Sequence, residues 1–257
     1  MSLALRLRGL DTAISKTVLG DDPARASRGG WFLRAADPDP LDDLPDLKAV
    51  YDRCSGEEGG YAGRCTAPLL IDLATETIVS SESADIVRIL NSFTTDSAAD
   101  SNNGRDLYPV ELGREIDEAN AWVYEQVNNG VYKAGFATKQ AAYEAAEREV
   151  HAGLARCDSV LGLSRFICGE AVTEADVRLL PTAVRFDAIY AALFRCGRKI
   201  IRADYPHVDR WMREMVELAG PGLFDLQAAK TSYYSNLFPL NPGGIVPVGP
   251  SAADLGL

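Results

Sequence analysis

The stretch "CTAPLLIDLATETIVSSESADIVRIL", residues 65–90, decides the fold class. It reads as a strand carrying a proline, a tight turn, a second strand and a helix that opens on Glu82-Ser83. Proline has no N–H for a ladder, so Pro68 needs compensation within a strand. A residue that precedes a cis-proline turns its N–H and C=O outward, where an extended peptide can pair with them. The helix start just downstream offers free N–H groups and a positive dipole end to an anion. Glu82 can accept from an ammonium, while Ser83 and the backbone donors hold a carboxylate. A ligand with a peptide backbone, an α-amino group and a carboxylate meets all of these groups at once, and glutathione is such a ligand. The structural alternative is that Ser81, Glu82, Ser83 and Asp85 only cap a helix, a contribution of about 1 kcal/mol.

Upstream, Leu3, Leu7 and Leu10 recur at helical spacing, and "TAISKTVL" (12–19) reads as a short strand. Residues 20–46 are rich in Gly, Pro and Asp around Trp31-Phe32 and read as a long loop, with a short helix over 46–54. Residues 91–106 are polar and read as a linker. Beyond it the period changes. Leu112, Ile116, Ala119, Val123 and Val127 share one helix face, and Tyr143, Ala146, Val150, Leu154, Cys157 and Leu161 share another. The segment 173–194 is apolar on most sides and belongs at the centre of a helical bundle, although it contains Pro181. The expected architecture is α/β plus all-α: a small thioredoxin-like unit over 1–95, a helical unit over 106–235 and an irregular tail over 236–257.

A net charge of −11 argues against a nucleic-acid or anionic-membrane partner, and no apolar run approaches the ~20 residues that span a bilayer. The five cysteines, Cys54, Cys65, Cys157, Cys168 and Cys196, are scattered without Cys-x-x-Cys spacing and read as reduced thiols of a cytoplasmic protein. The opening "MSLALRLRGL" also has a faint targeting-peptide character, which leaves organelle import as an alternative. His151 and His207 lack metal-ligand spacing, so no metal is expected.

Several blocks resemble the glutathionyl-hydroquinone reductases, the xi class of omega-like glutathione transferases. They are "GRCTAPLLIDLATETIVSSESADIVRILN" (63–91), "GW" (30–31), "DLYPVELGREIDEANAWVYEQVNNGVYKAGFAT" (106–138), "TEADVRLLPTAVRFDAIY" (173–190) and "YYSNLFPLNPGGIVPVGP" (233–250). The resemblance implies a thioredoxin-like domain followed by a glutathione transferase C-terminal-like bundle. It implies glutathione as co-substrate, aromatic quinol conjugates as partners, and a homodimer formed through the helical half. Residue by residue it implies that Trp31 lies against glutathione and that Arg64, Cys65, Thr66 and Ala67 carry its backbone contacts. Pro68 would be the cis-proline, and Glu82 and Ser83 would hold the γ-glutamyl end. Tyr132 would exchange a proton with the quinol oxygen, with Tyr190 and Tyr233 lining the thiol site. The structural alternative for each phenol is an ordinary core tyrosine. Thr173 and Asp176 read as a capping box that starts the central helix.

One family feature is missing. The nucleophilic cysteine of a Cys-Pro-Trp-Ala turn has no counterpart, because "ALRLRGLDTAIS" (4–15) aligns with the helix after that turn. The expectation is an incomplete gene model whose first strand is absent and whose sheet keeps an unpaired edge. Cys65 is the best-placed substitute, although a strand cysteine lacks the field of a helix end. Two function classes compete: a glutathione-dependent reductase of glutathionyl-hydroquinones, and a non-catalytic binder of glutathione or quinol conjugates. A Ser- or Tyr-type conjugating transferase ranks last, since it needs a hydroxyl near the end of the first strand and that region is absent here.

Overall fold

The computed structural model describes residues 1–21, 31–34, 37, 41, 44–93, 104–237 and 239–257. Much of the expected loop over 20–46 and linker over 91–106, including Gly30, lies outside the described residues.

Helix α1 (Ser2–Leu7) buries Leu3, Ala4, Leu5 and Leu7. Gly9, at φ 66°, lets the chain reverse so that the Leu10 N–H returns to the Leu5 C=O at 2.8 Å. The strand expected over 12–19 is mostly a turn: the N–H groups of Ala13 and Ile14 donate to the Leu10 C=O at 3.1 and 3.0 Å. Strand pairing begins only at β1 (Leu19–Gly20), which is antiparallel to β2 (Phe32–Leu33), with Gly20 opposite Phe32. A Cβ on Gly20 would sit 2.2 Å from the Phe32 ring, so only glycine fits under it.

Helix α2 (Leu47–Cys54) starts on Asp46, whose carboxylate accepts from the Ala49 N–H at 2.8 Å. The opening stretch forms the expected hairpin, β3 (Leu70–Asp72) with β4 (Thr77–Ser80), then α3 (Ser83–Ser92), but the first strand begins at Leu70, after Pro68, and does not carry the proline as expected. Asp72 accepts from the Ala74 N–H at 2.8 Å to close the turn, and Arg53 fastens it to α2 through Glu76 at 2.6 and 2.8 Å. Among the described residues no ladder joins β1–β2 to β3–β4, so the sheet lies in two two-stranded pieces.

The helical half comprises α4 (Gly113–Trp122), α5 (Gly130–Gly135), α6 (Gln140–Leu161), α7 (Glu174–Arg185), α8 (Ile201–Asp204), α9 (Pro206–Ala219), α10 (Leu226–Asn236) and α11 (Ala252–Leu255). Wide, π-type turns extend α4 over Val123–Asn128 and α7 over Phe186–Tyr190. The predicted apolar faces are buried at Ile116, Ala119, Val123 and Val127, and at Val150, Leu154, Cys157 and Leu161. Thr173 and Asp176 form the capping box, and Asp176, fully buried, also takes the N–H of Ile167 at 3.0 Å and the Trp211 indole at 2.9 Å. Pro181 lies inside α7. Asn128, on the facing wide turn, donates to the Arg178 C=O at 3.0 Å and accepts from the Thr182 hydroxyl at 2.9 Å.

Two cores result. A small one holds Leu41, Leu47, Val50, Tyr51 and Cys54, with Trp31, Cys65, Ile71 and Ile78 at its edge. The large one runs through the bundle and takes in Leu3 to Leu10 of the first turns together with Ile86, Val87 and Leu90 of α3. The tail is irregular only in part. Lys230, fully buried, donates to the carbonyls of Val248 and Pro250 at 3.1 and 3.2 Å, and Ser251 and Asp254 cap α11 with a reciprocal box. No helix among the described residues is long and apolar enough to cross a membrane.

His151 is structural and buried rather than superficial. Its Nε2–H donates to the Cys196 C=O at 3.1 Å beside Glu147, and its Nδ1 shares a 2.9 Å hydrogen bond with the Tyr205 hydroxyl. Burial lowers its pKa from the ordinary 6.5. The folded state therefore holds a neutral ring that the unfolded chain protonates, so the stabilisation is complete above pH 6.5 and is lost as pH falls below it. Chemical denaturation from pH 7.5 to 5.5 should show stability falling toward acid, by at most about 1.4 kcal/mol per pH unit from this group. His151→Gln should flatten that limb, and an equally steep slope in the variant would assign it elsewhere.

Candidate active site

Three helices deliver three phenols to one corner. Tyr132 comes from α5, Tyr190 from the wide turn after α7, and Tyr233 from α10. The hydroxyls of Tyr190 and Tyr233 are 3.1 Å apart, those of Tyr132 and Tyr190 3.5 Å apart, and Tyr132 and Tyr233 share a short hydrogen bond. Burial pushes the pKa of Tyr132 and of Tyr190 up, so both are protonated donors at neutral pH. The ring of Phe194, fully buried, contacts all three, at centroid separations of 5.3, 5.2 and 6.1 Å from Tyr132, Tyr190 and Tyr233. Gly135 makes room for it, since a Cβ there would fall 2.5 Å from the Phe194 ring.

The second group lies along the hairpin. The Ala67–Pro68 bond is cis, and Arg64, Thr66 and Ala67 are exposed while Cys65 is half-buried against the small core. The Tyr51 hydroxyl donates to the Thr66 C=O at 2.9 Å and so anchors the segment from behind. Glu82 and Ser83 are exposed at the start of α3, and Glu82 occupies the cap position without using its carboxylate to close the first turn. Trp31 is half-buried at the edge of the small core, and its C=O accepts from the Leu47 N–H at 3.2 Å.

No direct hydrogen bond among the described residues joins the two groups. They are tied indirectly. Arg88 of α3 forks onto the Glu174 carboxylate at 2.8 and 2.6 Å, and Glu174 opens the helix that runs on to Tyr190. On the other side Ser232, next to Tyr233, hydrogen-bonds Asp21, just after β1.

A family model described as "Glutathione S-transferase, C-terminal domain" matches residues 140–214. The chain is 39% identical over 95% of its length to glutathionyl-hydroquinone reductase PcpF of Sphingobium chlorophenolicum, covering 76% of that protein. It is 37% identical over 95% of its length to glutathionyl-hydroquinone reductase YqjG of Escherichia coli K12, covering 73% of it. The glutathione-bound structure of YqjG superposes with a TM-score of 0.85 at 36% identity, covering 97% of this chain and 80% of that one. Glutathione transferase Xi 1 from Trametes versicolor does so with a TM-score of 0.85 at 38% identity, covering 97% and 86%. This chain belongs to the glutathionyl-hydroquinone reductases, the xi class of glutathione transferases.

Cys54, Cys157, Cys168 and Cys196 are buried, and burial pushes the last three up to about 12, 11 and 12. All five cysteines are free of disulfides, and Cys65 alone among them is partly open to solvent. No group of three or more His, Cys, Asp or Glu among the described residues has metal-site geometry.

One member of the tyrosine corner escaped sequence reasoning: Phe194 looks like any apolar residue of a buried helix.

Proposed function

We propose that the chain binds glutathione along the Ala67–Pro68 edge and the start of α3, holds a glutathionyl-hydroquinone at the tyrosine corner, and serves its reduction to hydroquinone and oxidised glutathione. The convergence of three phenols from three helices carries this reading. In that reaction a thiolate attacks the thioether sulfur, an S–S bond forms and the C–S bond breaks. With the ring as its keto tautomer, the electron pair released moves into the ring and the charge settles on oxygen as a phenolate. A tyrosine hydroxyl that donates to that oxygen stabilises it and returns the proton. A glutathione thiol then attacks the mixed disulfide and regenerates the first thiol, so that one thiol and the thioether sulfur are oxidised to the disulfide and one aryl carbon is reduced. Glu82 and Ser83 offer the acceptor and donor groups for the γ-glutamyl end.

A second reading, binding of the conjugate without turnover, is favoured by one observation: four of the five thiols are buried, and the fifth, Cys65, lies in the irregular segment ahead of β3 and not at the first turn of a helix. The chain incubated with glutathione and a glutathionyl-hydroquinone decides between them. Hydroquinone release that disappears in Cys65→Ser supports reduction with Cys65 as nucleophile. Calorimetric binding of the conjugate with no release supports the binding role. Absence of binding to both glutathione and the conjugate would sink the whole assignment.

A further inference from the structure

The turn that delivers Phe194 to the tyrosine corner is built on a conformation its residue does not favour. Arg195 has φ 60°, in the left-handed region that suits glycine and that a long side chain rarely adopts. Main-chain bonds hold this turn to the wide turn after α7. The N–H groups of Phe194 and Cys196 both donate to the Tyr190 C=O at 3.2 Å, and the Arg195 N–H donates to the Ala192 C=O at 3.2 Å. The Arg195 C=O accepts from the Tyr143 hydroxyl of α6 at 2.7 Å. A glycine at 195 could make every one of these bonds without the strain. The arginine side chain supplies a different contact. Its Nη2 donates to the Gly135 C=O at 2.6 Å, on the last residue of α5, where a helix's own N–H groups run out and a cation is favoured. Gly135 is also the residue against which the Phe194 ring packs, since a Cβ there would fall 2.5 Å from it. The neighbours Phe194 and Arg195 thus grip Gly135 at two points, and Tyr132 lies on the same face of α5 one turn earlier.

We propose that Arg195 is a positioning residue for the quinol site. Its guanidinium fastens the end of the helix that carries Tyr132 to the turn that carries Phe194 and is bonded to Tyr190, and so sets where the Tyr132 hydroxyl stands relative to its partners. The inference rests on reading the tyrosine corner as the quinol site. Loss of the side chain leaves the main-chain bonds to the Tyr190 C=O in place, so its effect passes through Tyr132. The hydroxyls of Tyr132 and Tyr190 are 3.5 Å apart, at the limit of a hydrogen bond, and a small drift of α5 separates them. A ligand oxygen that takes a bond from each then loses one of the two.

The test is a double-mutant cycle on the whole chain, read by calorimetry with glutathione and, separately, with a glutathionyl-hydroquinone. Arg195→Gly relieves the backbone while it removes the guanidinium, so its melting temperature should stay close to the parent's. Its affinity for the conjugate should fall about tenfold, the size of one impaired hydrogen bond, with glutathione affinity unchanged. Tyr132→Phe combined with Arg195→Gly should bind the conjugate no more weakly than Tyr132→Phe alone, because a residue that acts through the Tyr132 hydroxyl has nothing left to position. An arginine that only holds the fold together would not show that coupling. Arg195→Asn, which also tolerates the left-handed region, takes the place of Arg195→Gly in the cycle if the glycine variant unfolds. Parent-like conjugate affinity in Arg195→Gly, a loss that adds to that of Tyr132→Phe, an equal loss of glutathione affinity, or unfolding of both variants would overturn the proposal and leave the quinol site standing. A parent chain that binds no conjugate, or a Tyr132→Phe variant that binds it as the parent does, overturns the quinol reading and this inference with it.

Discussion

Glu174→Ala should destabilise the protein by about 3–5 kcal/mol, the range for stranding a buried charge by removing its partner. The Glu174 carboxylate is fully buried and accepts from Arg88 Nε at 2.8 Å and Nη2 at 2.6 Å, Arg178 Nη2 at 2.7 Å and Asn120 Nδ2 at 2.7 Å. Its removal leaves two guanidinium groups and an amide facing a hole. Arg88 keeps Asp117 at 3.0 Å and the Tyr108 ring at 3.6 Å, so it is not wholly abandoned, whereas Arg178 has fewer alternatives. Arg88→Met should cost less than Glu174→Ala, because the Arg88 side chain is already 39% exposed. The functional consequence follows from geometry. Arg88 belongs to the helix that opens on Glu82-Ser83, and Glu174 to the helix that leads to Tyr190, so their pairing fixes one half of the site against the other. Glutathione affinity should fall with stability in Glu174→Ala. Thermal unfolding and calorimetry check both, and a melting temperature within about 2 °C of the parent would show that the network is not what holds the halves together.

Tyr132→Phe should weaken binding of a quinol conjugate by about 10- to 100-fold, the equivalent of roughly 1–3 kcal/mol for a lost buried donor. It should leave the affinity for glutathione alone and the melting temperature nearly unchanged. The reason for the split is that Tyr190 and Tyr233 remain 3.1 Å apart and satisfy each other when the third hydroxyl is removed. The ring itself stays packed edge-on against Phe194 at 5.3 Å. Equal losses for both ligands, or no loss for the conjugate, would mean that Tyr132 is a core tyrosine and not a ligand contact.

The local devices of the fold were legible because each is written within a few neighbouring residues. The 65–90 stretch announced its hairpin and helix, Thr173 and Asp176 their capping box, and the four-residue apolar steps the buried faces of α4 and α6. The strand read into 12–19 failed because the chain turns back onto Leu10, a contact that alternating apolar residues do not encode. The tail read as irregular because its anchor, Lys230, lies on α10 well before it, although Ser251 and Asp254 had the spacing of a cap.

The sequence by itself determined the element types, the order of a small α/β half and a helical half, and the residue classes available for a peptide-like ligand. Tertiary structure decided what meets what. Tyr132 and Tyr233 are 101 residues apart and share a hydrogen bond only because α5, α10 and the wide turn after α7 pack around Phe194. It also divided the described part of the first 95 residues between two cores. Periodicity and caps act over about four residues along the chain, whereas the relative placement of helices depends on how whole faces interlock, and no short window of sequence contains that information.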